Sequence, residues 1–127
     1  MKTEMANIGV LYTNGKLRYI TLRRNGTPEI CGKILKTYYN NQRAVRRLIG
    51  LGDLFTISGD DSINGSDEAI THRHVLSGIK ARTCKSVSEY MIEYRNSGIS
   101  FSYLYIVEKQ RWLFYDNMFN YISPGGI

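Results

Sequence analysis

Long apolar runs are missing from this chain. No stretch approaches the roughly 20 residues that a membrane-spanning helix needs, and the opening MKTEMANIGV has no apolar block ahead of a small-residue cleavage site. Neither insertion nor secretion is indicated, so no membrane partner is expected and the protein is placed in the cytoplasm. Cysteine is scarce: Cys31 and Cys84 are expected reduced and at least partly buried, because a cytosolic redox poise disfavours structural disulfides. Histidine is equally scarce, at His72 and His74. Internal repeats, low-complexity blocks and nucleophile-elbow serines are absent. Gly50-Leu51-Gly52 lacks both the further glycine spacing and the Lys-Ser/Thr of a phosphate-binding loop, and no cofactor is expected.

What is present fits one small domain spanning 1–127, long enough to close a single core and too short for two ordinary ones. Seventeen basic against eleven acidic side chains give a net charge of +6, which draws the protein to acidic partners without saying which kind. Ten tyrosines suit a half-buried sheet or an interface, since each joins an apolar ring to a polar tip.

Local patterns predict an α+β fold: a mainly antiparallel sheet with one face packed on two or three helices. Ile8, Val10 and Tyr12 alternate with polar or small neighbours, Asn14-Gly15 supplies a hairpin turn, and Leu17, Tyr19 and Thr21 continue the alternation. A second reversal is expected at Arg24-Asn25-Gly26-Thr27-Pro28, with Gly26 at positive φ, Pro28 at a helix start and Thr27 as its cap. Ile30, Ile34, Leu35 and Tyr38 then form the buried stripe of a first helix. Asn40 or Asn41 caps a second, short helix that buries Ala44, Val45, Leu48 and Ile49 and ends at Gly50 or Gly52. Residues 58–68 read as a flexible polar loop, Ala69 to Val75 as a strand, and Gly78 to Lys85 as weakly strand-like. Ser86 or Ser88 begins a helix with Val87, Tyr90, Met91 and Tyr94 on its apolar side. Phe101 to Val107 and Trp112 to Tyr115 form a second hairpin, and the tail 120–127 is expected to fray.

Candidate chemistry is sparse. His72 and His74, two apart on an extended segment, share a face and have a spacing open to two metal ligands, but no third or fourth ligand follows at a familiar spacing. Cys31 or Cys84 would complete a metal site or a nucleophile pair only if the fold brought them there, and the enzyme reading ranks last. Asp60, Ser62, Asn64 and Gly65 imitate a calcium loop, yet its closing carboxylate falls on Thr71. The basic residues are more suggestive. Arg43, Arg46 and Arg47 share one helical face, and Arg23, Arg24, Tyr38 and Tyr39 stand near them in sequence, a mixture that could contact phosphates and stack on bases. The ordinary alternative is a solvated helix face, and no helix-turn-helix, zinc-finger or ribonucleoprotein signature is present.

Together, the opening hairpin, Gly26-Thr27-Pro28-Glu29 with Gly32, Tyr38-Tyr39, Leu48-Ile49-Gly50-Leu51-Gly52-Asp53-Leu54, and Tyr103 to Tyr105 followed by Trp112, Tyr115 and Asp116 resemble a family of small phage and prophage proteins of unknown function. The resemblance runs from about Ile8 to Asp116 and rests mainly on the middle segment. Members of that family carry a Cys-His-Trp-Asp-Gly-Tyr-Pro-like stretch where this chain has Leu22-Arg23-Arg24-Asn25-Gly26-Thr27-Pro28, so only the glycine and proline frame survives. The resemblance implies a protein that occupies and modulates or inhibits a host macromolecule. The expected partner is a host protein with an acidic surface, bound through Arg23, Arg24, Tyr38, Tyr39, Arg43, Arg46 and Arg47; nucleic acid on the basic helical face is the alternative. An exposed tyrosine-bearing sheet edge would favour a homodimer.

Overall fold

In a computed structural model that describes residues 4–57, 79–118 and 120–122, the two hairpins lie side by side in a single sheet. β1 (Ala6–Leu11) and β2 (Leu17–Leu22) pair antiparallel, as do β4 (Phe101–Ile106) and β5 (Arg111–Asp116). Parallel pairing of β1 with β4 joins them, from Ala6 opposite Phe101 to Leu11 opposite Ile106. The short strands β3 (Arg82–Cys84) and β6 (Tyr121–Ile122) complete the order β3-β2-β1-β4-β5-β6. The fold is α+β, with a mostly antiparallel six-stranded sheet. Tyr121 and Ile122, part of the tail expected to fray, are paired with β5. The predicted loop 58–68 and strand Ala69 to Val75 lie outside the described residues, as does the remainder of the tail from 123.

Helices cover both faces of the sheet, where packing on one face was expected. Ala6, Ile8, Val10, Ile20, Leu22, Tyr103, Tyr105, Trp112 and Phe114 point towards α1 (Lys33–Tyr38) and α2 (Gln42–Gly50), which contribute Leu35, Val45, Leu48 and Ile49 to a shared core. On the opposite face Leu17, Tyr19, Cys84 and Leu104 meet Tyr90 and Tyr94 of α3 (Val87–Ser97). Sequence hid this second face because its central positions are polar. Asn7, Thr21 and Ser102 are buried there, and all are satisfied: the Thr21 hydroxyl donates to Asn7 Oδ1 at 2.8 Å, and the Tyr90 and Ser102 hydroxyls pair at 2.5 Å.

The helix starts follow their capping residues. Asn41 Oδ1 accepts the Ala44 amide at 2.9 Å, and Ser86 Oγ accepts the Glu89 amide at 3.2 Å. Thr27 differs: its side chain makes no cap bond, while its carbonyl gathers the amides of Ile30, Cys31 and Gly32. The segment Pro28–Gly32 is thus a π-turn that runs into α1. The wider turn retards the helical phase, so Cys31 enters the core and Ile30 is left 43% exposed, outside the stripe expected for it.

The turn at Gly26 also differs in its mechanism. Asn25 carries the positive φ, 60°, and Gly26 is needed for space: a Cβ there would stand 2.8 Å from the Glu4 carbonyl oxygen and 2.9 Å from Ala6 Cβ. One contact is to the backbone leading into β1 and the other to its first residue, so neither can yield cheaply. Gly26→Ala is therefore expected to cost about 1–3 kcal/mol through forced backbone displacement. Gly50→Ala, at a helical site with open space around the added carbon, should be neutral or stabilising by about 0.5–1 kcal/mol. Urea unfolding midpoints of the two variants test the contrast.

Candidate functional site

α2 segregates its residues sharply. Val45, Leu48 and Ile49 are buried against the sheet, which forces Arg43, Arg46 and Arg47 outwards, three and four positions apart on the solvent side. β2 adds a fourth arginine. Its alternation puts Arg18 on the same sheet face as Ile20 and Leu22, at the strand end that α2 overhangs. Arg18, Asn41, Gln42, Arg43, Arg46 and Arg47 together line one open recess. No acidic residue occurs within α2 itself. Arg43 occupies the first turn, where the partial positive charge of the helix end disfavours a cation by about 0.3–1 kcal/mol. A face selected only for solubility would place acids there.

The remaining residues expected at the site do not all join it. Arg23 and Arg24 are exposed on the turn after β2, roughly 17 Å from Arg18 at the usual strand rise. Their amides bond the carbonyls of Leu54 and Phe55, and the Arg24 guanidinium lies 5.0 Å above the Phe55 ring. They form a separate patch. Tyr39 is a core residue, 5% exposed, and its carbonyl accepts the Trp112 indole N–H at 2.8 Å. It therefore cannot act as a surface anchor. Tyr38 is half-buried and packs against the same core. His72 and His74 lie outside the described residues. Arg18 was not anticipated, although the period-two pattern of β2 places it on the α2 side.

A second polar cluster lies on the α3 face. The Tyr19 hydroxyl donates to Glu93 Oε1 at 2.8 Å, and the Cys84 thiol faces Glu93 Oε2 at 3.5 Å. The Arg82 guanidinium sits 4.8 Å from the Tyr19 ring centre. Burial, reinforced by Glu93, pushes both Tyr19 and Cys84 up to about 12. Cys31, fully buried, is pushed higher still by desolvation alone. These thiols are protonated at neutral pH and are poor nucleophiles.

Comparison with protein-family models, with curated proteins and with solved structures finds no match to this chain. Among the described residues no helix is long and apolar enough to cross a membrane.

The raised acid groups set a pH dependence with a definite sign. Their folded pKa values lie above the ordinary 9.0 of cysteine and 10.0 of tyrosine, so the folded state holds these protons longer than the unfolded chain does. The stability they contribute is complete below about 9 and is lost as pH rises through about 12. Chemical denaturation at stepped pH should show this alkaline decline, and Tyr19→Phe should flatten it.

Proposed function

We propose that this protein is a small phage-type accessory protein that binds an acidic surface of a host protein through the α2 face and so modulates or inhibits its target. The observation that carries this reading is the convergence of Arg18 from β2 with Arg43, Arg46 and Arg47 from α2 on one open recess. Guanidinium groups present planar forks of donors that match carboxylates in pairs. Asn41 and Gln42 add polar groups at the rim of the recess. The Arg23 and Arg24 patch stands apart and is assigned a peripheral part in recognition at most.

Nucleic acid would supply phosphates to the same guanidiniums. Single-stranded nucleic acid, however, is held largely by bases stacked on exposed rings. The burial of Tyr39 withdraws one of the two rings once available for that purpose. An acidic protein surface asks for no such platform.

The test is capture from host lysate, with and without nuclease treatment, by the tagged wild-type protein and by a variant carrying Arg43→Glu, Arg46→Glu and Arg47→Glu. All three side chains are exposed, so the variant should keep the wild-type circular dichroism. Capture of a stoichiometric protein should fall at least about a hundredfold, the equivalent of roughly 3 kcal/mol lost across interfacial arginines. Undiminished capture by the folded variant would overturn the placement. Recovery of nucleic acid alone, abolished by nuclease, would replace the acidic protein with a phosphate backbone.

A further inference from the structure

Cys84 closes β3, Ser86 caps α3, and Glu89 and Glu93 follow one helical turn apart, so both carboxylates rise on the side of the helix that faces the thiol. The Cys84 sulfur and one oxygen from each carboxylate lie within 4.8 Å of one another. Tetrahedral ligands at about 2.0–2.3 Å from a zinc ion stand roughly 3.3–3.8 Å apart, a set that small side-chain rotations would close. Donors outside the trio already hold the carboxylates. The Tyr19 hydroxyl, from β2, bonds Glu93 Oε1 at 2.8 Å, and the Lys85 amide bonds Glu89 Oε1 at 3.3 Å. That leaves Glu93 Oε2 turned towards the sulfur, at 3.5 Å. Secondary partners of this kind orient metal ligands and tune their basicity.

We propose that Cys84, Glu89 and Glu93 form a binding site for a zinc-type divalent cation, on the sheet face opposite the arginine recess. The thiolate selects a borderline-soft ion over magnesium or calcium, which prefer all-oxygen shells. Cys84 is buried, Glu89 half-buried and Glu93 exposed, so the site opens towards solvent on the Glu93 side and leaves a fourth position for water. Binding exchanges the thiol proton for the metal: the S–H bond breaks, a sulfur–metal bond forms, and one proton passes to solvent for each ion bound. The cation takes the place of that proton between the sulfur and Glu93, and its double charge offsets two of the three negative ligands. This proposal does not rest on partner capture, which concerns the other face.

Co²⁺ is the probe, because a cobalt–thiolate bond gives a charge-transfer absorption in the near ultraviolet. Titration of the full chain should produce that band at equimolar Co²⁺, with proton release, and Zn²⁺ should displace it. Cys84→Ser should abolish the band. Glu89→Gln and Glu93→Gln, conservative changes at solvent-accessible positions, should weaken binding by at least tenfold, as should Tyr19→Phe, which removes only the group that orients Glu93. Circular dichroism confirms that each variant is folded, and the glutamine variants decide the matter if Cys84→Ser does not fold. Absence of a band in the wild type would overturn the proposal. So would a band of unchanged affinity in both glutamine variants, which would reveal a thiol binding cobalt on its own.

Discussion

The outer edge of β2 has two partners, and the carboxylate of Asp53 closes the join between them. β3 pairs with β2 only from Leu17 to Tyr19. Further along, the segment after α2 takes over: the Leu54 amide donates to the Thr21 carbonyl at 3.0 Å, and the Arg23 amide donates to the Leu54 carbonyl at 2.9 Å. The Thr21 amide falls at the junction and donates to Asp53 Oδ1 at 2.8 Å. Arg82 reaches across from β3 to the same oxygen at 2.6 Å and also bonds the Thr21 hydroxyl at 2.9 Å. Asp53 is almost fully buried, and a buried backbone donor or carboxylate without partners is costly. Here each satisfies the other. Deleting one partner of such a pair costs about 3–5 kcal/mol, towards the lower end here because Arg82 is 37% exposed.

Both candidate sites depend on that join. Gly52 turns the chain out of α2 at φ +84°, and the Asp53 amide donates to the Ile79 carbonyl at 2.9 Å, so the end of α2 is tied to the chain that leads into β3. α2 is thereby set over β2, with Arg18 beneath the arginines of the helix. On the other side, Arg82 hands the network to Tyr19 through its ring, and Tyr19 passes it to Glu93 beside Cys84. The Thr21 hydroxyl extends it to Asn7. A polar layer of this kind rigidifies a sheet only when all its members are bonded.

Elements governed by local chemistry were legible in the sequence. Asn14-Gly15 marked the first hairpin, Asn40 or Asn41 and Ser86 or Ser88 marked helix starts, and the runs Phe101 to Val107 and Trp112 to Tyr115 marked the second hairpin. Features set by tertiary contact were not. The burial of Asn7, Thr21 and Ser102 was not foreseen, because nothing local shows that α3 covers them. The π-turn shifted the buried stripe from Ile30 to Cys31, and Tyr39 was drawn into the core beside Trp112. The arginine face of α2 followed from spacing alone, whereas its union with Arg18 needed the packing of helix on strand. The grouping of Glu89 and Glu93 with Cys84 was not legible, because it needs β3 to be laid beside the helix.

The most direct measurement is residue-resolved hydrogen exchange on Asp53→Asn beside the wild type. The substitution keeps the shape of the side chain and removes the charge that holds Arg82. If the Asp53 junction seats α2 and β3 on β2, the amides of Thr21, Arg23 and Leu54 will exchange markedly faster in the variant, beyond any change in β4 and β5. Unchanged protection at those three amides would show that the edge of β2 is held without Asp53.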